Sequence, residues 1–286
     1  MKYAPKYPVY IISKGRYDTC YTAHFMLKDK LPFYLVIEPQ EEKLYKEKIP
    51  EANYLILPFS NLGQGSIPAR NFCWEHSKAN GHARHWIFDD NIRSIRAYID
   101  HKRIPINSNK ALFICEYFIN RYSNIGIAGL NYSMFVVPTA KMKAYRLNVH
   151  VYSCLCIDNN LPFRWRGKYN EDTDLCLQVL TTKRLCTVAF NIFCTEKIAT
   201  MTTKGGNTEE LYADDGRLKM AQALQQQWPH IVTIIKRYQR AQHCVNWLRF
   251  KTPLRFRGNL KQADLVCPLQ TLNIVPVAKK TAHGKH

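Results

Sequence analysis

The 286-residue sequence lacks three features that define common classes of protein. It has no run of about 18 apolar residues, the length that a membrane-spanning helix needs. No apolar segment follows the N-terminal lysines, as it would in a signal peptide. None of its ten cysteines forms a CxxC pair, so the spacing typical of structural zinc sites is missing. We therefore expect a cytoplasmic protein without a membrane span, with reduced thiols in its core.

Acidic residues are also scarce, and most of all near the C-terminus. The chain has 41 Lys and Arg against 22 Asp and Glu, a formal net charge of +19, and no acidic residue occurs from Gly216 to Ala263. This excess indicates a polyanionic partner, because lysine and arginine neutralise phosphates without reading a base sequence. Aromatic residues interleave with the cations and either stack on bases or pack the segment onto the protein. The predicted DNA contacts are Lys236, Arg237, Arg240, Arg249, Arg255 and Arg257.

Strand and helix patterns alternate over the first ninety residues. The predicted strands are Val9–Ser13, Phe33–Glu38, Asn53–Leu57 and His85–Phe88, with helical patterns between them. Since 46% of the residues are hydrophobic, the chain can bury a large core. This order predicts a parallel sheet covered by helices. Ligands of such sheets bind beyond the carboxyl ends of the strands.

The second half of the chain has a mixed pattern. Helices are predicted at Asn107–Tyr122, Glu171–Leu180, Arg217–Gln227 and His230–Trp247. The stretch from Asn148 to Ile157 is long enough for a strand that pairs in a hairpin. We therefore expect a helical basic segment after a second group of strands.

An acidic turn, Asp89-Asp90-Asn91, follows the apolar residues of the fourth predicted strand. Adjacent carboxylates raise each other's cost of ionisation unless a cation lies between them. A divalent metal that also holds a diphosphate would supply that cation. The alternative is a plain turn that caps a helix. The position after a buried strand favours a binding role.

Three carboxylates in four residues, Glu171, Asp172 and Asp174, open the helix predicted at Glu171–Leu180. Acidic residues in a first turn complement the helix dipole, but three exceed what capping needs. A base that takes a proton from a hydroxyl group needs a carboxylate held rigidly beside a cleft. Asp172, with Glu171 next to it, is the candidate.

Two further features gain meaning only from their context. Arg70 lies near the start of the helix that precedes the acidic strand, where its guanidinium can fork onto a phosphate. The TTKGGN stretch carries Lys204 and Gly205, and glycines let a backbone approach a phosphate closely. Alone, the first would be a surface residue and the second a flexible loop.

Together, the acidic strand end, the ARN helix and the later EDTD helix resemble the GT-A fold of nucleotide-sugar glycosyltransferases. More narrowly, five stretches are similar to the TET/JBP-associated glycosyltransferases: IISKGR, WIFDDNI, GIAGLNYSMF, GKYNEDTDLCLQ and TKGGNTEELYADDGR. They span roughly residues 8 to 217. That family occurs in bacteriophages and kinetoplastids and is assigned the addition of sugars to hydroxymethylated pyrimidines in DNA. One departure is Asn91, where the usual Asp-x-Asp metal motif ends in aspartate.

The resemblance implies an α/β enzyme of GT-A (Rossmann-like) fold with a mostly parallel central sheet. Its parts would be a glycosyltransferase domain at 1–215, a basic helical extension at 216–265 and a tail at 266–286. It would be a monomer that moves a sugar from a nucleotide sugar, UDP-glucose or similar, to 5-hydroxymethylcytosine in DNA. A phage-encoded protein would do so in the host cytoplasm.

The resemblance also assigns roles to the candidate residues. Asp90 and Asn91 would hold Mn²⁺ or Mg²⁺, and Asp172 with Glu171 would deprotonate the acceptor hydroxyl. The donor would be bound by Ser13, Lys14, Gly15, Arg16, Arg70, Asp89, Lys204 and Gly205. Two alternatives from other classes are a metal-dependent nuclease and a non-catalytic DNA-binding module.

Overall fold

A computed structural model describes residues 3–99, 102–137, 139, 142–198, 216–237 and 239–258. The strands are β1 (Val9–Ile12), β2 (Tyr34–Ile37), β3 (Asn53–Ile56), β4 (Arg84–Asp89), β5 (Ile92–Ile99), β6 (Lys102–Pro105), β7 (Ile125–Tyr132), β8 (Tyr145–Leu147), β9 (Cys154–Asp158), β10 (Cys186–Lys197), β11 (Val232–Arg237) and β12 (Arg240–Val245). The helices are α1 (Tyr21–Lys28), α2 (Glu42–Lys48), α3 (Ile67–Ala79), α4 (Ser108–Ile119), α5 (Glu171–Thr181) and α6 (Gly216–Gln227).

A ten-stranded sheet forms the centre of the protein, in the order β3-β2-β1-β4-β9-β7-β10-β5-β6, with β8 paired to β10. Strands β1 to β4 pair in parallel, and β7 is parallel to β10. Strand β9 is antiparallel to both of its neighbours, as β5 is to β10 and to β6. All but β5, β8 and β9 therefore point the same way. The predicted α/β fold with a mostly parallel central sheet is confirmed.

Alternate residues of the central strands enter two hydrophobic cores, because successive side chains of a strand point to opposite faces. In β1, Val9 and Ile11 pack with residues of α1, α2 and α4, whereas Tyr10 packs with residues of α3 and α5. Both faces of the sheet are thus covered by helices. This is the usual condition of a parallel sheet and explains the unbroken apolar runs in the sequence.

The register of the parallel strands brings two polar turns together. Ile12 pairs with Asp89, so Ser13 and Asp90 leave the sheet at the same edge. This juxtaposition follows from parallel pairing, which aligns the carboxyl ends of neighbouring strands.

The prediction that the stretch from Asn148 to Ile157 forms a strand paired in a hairpin is wrong in two respects. Strand β9 begins only at Cys154, because the backbone is left-handed at Asn148 (φ 56°) and Ser153 (φ 22°) and interrupts the extended run. The strand then inserts between β4 and β7 instead of pairing with a neighbour in the chain. As a result Ser153 lies beside the acidic turn.

The C-terminal basic segment is only partly helical. Helix α6 confirms the prediction at Arg217–Gln227, but the helix predicted at His230–Trp247 is instead the hairpin β11–β12. The β-branched run from Val232 to Ile235 favours a strand, and Gln239 adopts the positive φ of 59° that the tight turn requires. The predicted domain boundaries at 215 and 265 lie outside the described residues and stay predictions.

The cysteines are reduced core thiols where they are described. Nine are free and eight of these are buried. Burial raises the pKa of Cys20 to about 12, which makes its thiol unreactive. Among the described residues, no helix is both long enough and apolar enough to cross a membrane.

Gly129 in β7 offers a direct test of the packing between β7 and β9. A Cβ at this position would lie 2.0 Å from the backbone oxygen of Cys154 and 2.5 Å from a methyl group of Val151. Gly129→Ala should therefore lower the free energy of unfolding by about 3 kcal/mol or more, since a backbone carbonyl cannot yield as a side chain does.

The matched control is Gly126→Ala in the same strand, whose Cβ would meet only side-chain methyl groups, the nearest at 3.0 Å. Urea denaturation measures both variants. Equal losses in the two variants would contradict the described pairing of β7 with β9.

Candidate active site

A cavity of about 290 Å³ opens at the carboxyl ends of β1 and β4. It brings together nine of the predicted residues from four separate stretches of the chain. They are Ser13, Lys14, Arg16, Arg70, Asp89, Asp90, Asn91, Glu171 and Asp172. Gly15 is not in the lining; its φ is 61° and its N–H donates to Glu41 at 2.5 Å. Lys204 and Gly205 lie outside the described residues.

Asp90 is buried and neutralised from the β1 side. Arg16 Nη1 donates to its Oδ1 at 2.6 Å, and Ser13 Oγ donates to its Oδ2 at 2.6 Å. Burial raises the pKa of Asp90, and the Arg16 guanidinium opposes that rise. With 4% of the residue exposed, this pair forms a closed wall of the cavity.

Asp89 is neutralised by two cations from distant parts of the chain. Arg70 Nη2 donates to Oδ1 at 2.8 Å, and Lys197 Nζ donates to Oδ2 at 2.8 Å. Ser153 Oγ also donates to Oδ2, at 2.5 Å. Burial alone would raise the pKa of Asp89, but Lys197 and Arg70 outweigh it and hold that pKa well below its usual range. Asp89 is therefore ionised at neutral pH.

Sequence reasoning missed Lys197 and Ser153. Lys197 is the last residue of β10, and Ser153 immediately precedes β9. One signal was available: Lys197, like Asp89, is a charged residue at the end of a long apolar strand. No local pattern could show which strand pairs beside β4.

Glu171 and Asp172 occupy the other side of the cavity, at the start of α5. Ser66 Oγ donates to Glu171 Oε1 at 3.1 Å, and Arg70 Nε lies 3.5 Å from the same oxygen. Asp172 Oδ2 lies 3.2 Å from His150 Nε2, and Asp172 Oδ1 accepts from the Thr173 N–H at 2.7 Å.

The two neighbouring carboxyl groups differ in acidity. Burial raises the pKa of Glu171. Burial would do the same for Asp172, but the adjacent His150 ring lowers its pKa to about 2. Pairs of titratable groups whose pKa values are driven apart are typical of acid–base sites. His150, in contrast to Lys197, had no signal in the sequence around it.

The third carboxylate of the EDTD stretch has a structural role. Asp174 is fully buried and accepts hydrogen bonds from Arg166, Gln178 and Trp228. Asp174 therefore fixes the start of α5 to Arg166, which precedes this helix, and to Trp228, which follows α6. It is not part of the cavity lining.

Arg70 links the two sides of the cavity. Its side chain is 5% exposed, contacts both Asp89 and Glu171, and lies over the Trp165 ring at 4.7 Å. Its planar guanidinium fork holds two oxygens in a fixed geometry, which the flexible point charge of lysine does not provide. The first turn of α3 therefore fixes the spacing between the acidic turn and the EDTD helix.

The residues predicted to hold a divalent metal do not fit that role in this arrangement. All four carboxylate oxygens of Asp89 and Asp90 already accept hydrogen bonds from cations or hydroxyl groups. Asn91 Nδ2 donates to the Ile198 carbonyl, which leaves only the neutral Asn91 Oδ1 without a partner. Within the described ranges, no group of three or more His, Cys, Asp or Glu is placed to hold a metal ion.

The six predicted DNA contacts are all exposed. Lys236, Arg237 and Arg240 lie at the tip of the hairpin β11–β12. The other three follow it, and Arg249 and Arg257 donate to the carbonyls of His230 and Tyr122. The predicted cations are thus on the surface, but on a hairpin and an extended segment instead of one helix.

Comparisons with known proteins identify a family. A model described as TET-Associated Glycosyltransferase matches residues 7–206. A protein assigned as a nucleotide-diphospho-sugar transferase, from Desulfovibrio desulfuricans G20, has a solved structure with a TM-score of 0.36 and 10% identity; the match covers 65% of this chain and 80% of that one. A comparison with curated proteins gave no match.

The buried position of Arg70 predicts a large effect on stability. Arg70→Gln should lower the free energy of unfolding by about 3 kcal/mol, because Asp89 loses one of its two cations and Glu171 loses its neighbouring cation in a largely buried site. Urea denaturation at pH 7 gives the value.

Arg164→Gln is the matched control. Arg164 also lies over a tryptophan ring, that of Trp74, at 4.9 Å and pairs with Glu75 at 2.6 Å. Both members of this ion pair, Arg164 and Glu75, are partly exposed. Arg164→Gln should lower the free energy of unfolding by about 1 kcal/mol or less. An equal cost for both arginines would show that Arg70 is not a buried electrostatic link.

Proposed function

The chain belongs to the TET-associated glycosyltransferase family, and on that premise we propose that it transfers a sugar from a nucleotide sugar to 5-hydroxymethylcytosine in DNA. Family membership makes the protein a glycosyltransferase and sets aside the nuclease and the non-catalytic module. The donor, the acceptor and the roles of individual residues are our proposal.

One observation carries the proposal: a single cavity holds a cationic side and a carboxylate side, joined by Arg70. A glycosyl transfer needs both. The leaving diphosphate gains negative charge, which fixed cations stabilise. The attacking hydroxyl loses a proton, which a nearby carboxylate accepts.

The donor side is the part of the cavity next to β1. Ser13, Lys14 and Arg16 line it, and Lys14 Nζ pairs with Glu38 at 2.9 Å. We propose that a UDP-linked sugar lies here with its diphosphate toward Arg70 and Lys197. Lys204 and Gly205 stay predicted contacts of the phosphates.

The acceptor side adjoins a second cavity of about 310 Å³ that contains His150, the partner of Asp172. Its other lining residues are Asn131, Phe135, Arg146, Val149, Tyr152 and Trp247. Aromatic side chains of this kind can stack on a nucleobase. The 5-substituent of a cytosine projects into the major groove, so either an intact duplex or a flipped base could present it.

The proposed chemistry is a substitution at the anomeric carbon. The acceptor oxygen forms a bond to that carbon as its proton passes to Asp172. The bond from the anomeric carbon to the diphosphate oxygen breaks, and its electron pair leaves with the diphosphate. The lowered pKa of Asp172, about 2, keeps its carboxylate ionised at neutral pH.

Asp172→Asn tests the proposed base, since asparagine keeps the size but cannot accept the proton. Turnover on hydroxymethylated DNA should fall by about 10² to 10⁴, with UDP affinity nearly unchanged. A coupled assay of released UDP measures turnover, and calorimetry measures affinity.

Two further variants show which carboxylate acts as the base if Asp172 does not. Asp174→Asn should lower thermal stability without loss of turnover per folded molecule, because Asp174 is buried behind Arg166 and Trp228. Glu171→Gln should weaken donor binding through Arg70. Full activity in Asp172→Asn combined with a large loss in Glu171→Gln would transfer the base to Glu171.

The basic hairpin is the proposed DNA surface. Replacement of Lys236, Arg237 and Arg240 by alanine removes three exposed charges from its tip. Each phosphate contact on duplex DNA contributes about −0.9 to the slope of log affinity against log salt. With two of the three cations in contact with phosphates of one duplex, the slope should become shallower by about two units. Fluorescence anisotropy at several salt concentrations measures it.

The matched control replaces three exposed lysines on helices of the N-terminal half, Lys28, Lys78 and Lys110, with the same loss of charge. It should leave the slope nearly unchanged. If both triple variants shift the slope equally, binding depends on net charge alone and the hairpin has no special role.

A further inference from the structure

We propose that Lys197, together with Arg70, supplies the positive charge against the donor diphosphate that a divalent metal supplies in enzymes with an Asp-x-Asp motif. Donor binding and sugar transfer then do not depend on a metal ion. This inference rests on the proposed nucleotide-sugar donor and concerns the same cavity.

The first argument is the position of the Lys197 ammonium group. It lies 2.8 Å from Asp89 Oδ2, where a cation bound to that carboxylate would lie, and Lys197 lines the donor cavity. A metal on Asp89 would have to displace the ammonium group or the guanidinium of Arg70. Since both side chains are largely buried, displacement would leave a desolvated positive charge next to the metal.

The second argument is how firmly Lys197 is held. Its ammonium group donates three hydrogen bonds, to Asp89 Oδ2 at 2.8 Å, to Ser153 Oγ at 2.7 Å and to Tyr132 OH at 3.2 Å. Its side chain is 17% exposed, on the last residue of the twelve-residue strand β10. A cation fixed in this way needs no reorganisation when charge develops on a leaving group.

The third argument is the charge of the donor wall. Asp89 carries one negative charge against the two positive charges of Arg70 and Lys197. Asp90 with Arg16, and Glu38 with Lys14, form neutral pairs. The donor wall thus carries more positive charge than Asp89 and Asp90 alone would give it, and Arg70 also lies 3.5 Å from Glu171 on the acceptor side. Lysine binds phosphate as a point charge, which suits a diphosphate of variable geometry.

The fourth argument is Asn91, at the position where the motif otherwise has a second carboxylate. Asn91 is 1% exposed and its Nδ2 donates to the Ile198 carbonyl, next to Lys197 in the chain. An aspartate here would lose that hydrogen bond and bury a third negative charge. A neutral residue at position 91 is therefore consistent with a site in which Lys197, and not a metal ion, neutralises the acidic turn.

The experiment compares donor binding and transfer with and without metal. The purified full-length chain is titrated by calorimetry with UDP, GDP, CDP, dTDP and ADP, first in excess EDTA and then in Mn²⁺. Transfer to hydroxymethylated DNA is followed under both conditions. For the wild type we expect one nucleoside diphosphate to bind, with affinity and turnover in EDTA within about twofold of those in Mn²⁺.

The lysine is tested by Lys197→Met and Lys197→Arg. The methionine variant should lose about tenfold or more in diphosphate affinity in EDTA, since the positive charge of the ammonium group is lost. The arginine variant keeps the charge and should recover most of the affinity. Thermal melting shows whether each variant is folded; if Lys197→Met is not, Tyr132→Phe removes one acceptor of Lys197 and should weaken affinity less.

The outcomes separate this inference from the proposed function. Binding and transfer that vanish in EDTA and return with Mn²⁺ would overturn the role of Lys197 and leave the glycosyltransferase proposal standing. Undiminished affinity in a folded Lys197→Met, or in Tyr132→Phe if that variant replaces it, would also overturn it. No binding of any nucleoside diphosphate and no transfer under either condition would overturn both.

Discussion

Two adjacent carboxylates at the end of a buried strand have to be neutralised, and the site is organised by how this is done. Asp90 forms an ion pair with Arg16, which lies in the turn after β1. Asp89 forms ion pairs with Arg70 of α3 and Lys197 of β10. Three separate parts of the chain thus converge on one acidic turn. Because these side chains are largely buried, loss of Arg16 would leave Asp90 without its cation, and loss of Arg70 or Lys197 would remove one of the two cations on Asp89.

The sheet order explains why a donor side and an acceptor side meet in the same cavity. Parallel pairing of β1 with β4 aligns their carboxyl ends, and the insertion of β9 next to β4 brings Ser153 against Asp89. Helix α5 packs on the same face as α3 through the second core, which places Asp172 across from the cationic wall. The distance between the two sides is fixed by Arg70, which contacts both.

The sequence predicts the first half of the fold and most of the cavity because both depend on local patterns. Apolar runs alternate with helical periods, and polar turns at strand ends identify Ser13, Asp89 and Asp90. Lys197 and His150 were missed because they contact residues 108 and 22 positions away, respectively, through strand pairing and loop packing that no local pattern encodes. The predicted helix at His230–Trp247 is wrong because the β-branched run from Val232 to Ile235 favours a strand.

The central claim is that this protein attaches a sugar to hydroxymethylated DNA, and one measurement addresses it most directly. Duplex DNA containing 5-hydroxymethylcytosine is incubated with the protein and a panel of nucleotide sugars, digested to nucleosides and analysed by mass spectrometry. The account predicts a new nucleoside that is heavier than 5-hydroxymethyl-2′-deoxycytidine by one sugar residue, formed with one donor and absent when the DNA contains only unmodified cytosine. Recovery of unmodified nucleosides with every donor would contradict it.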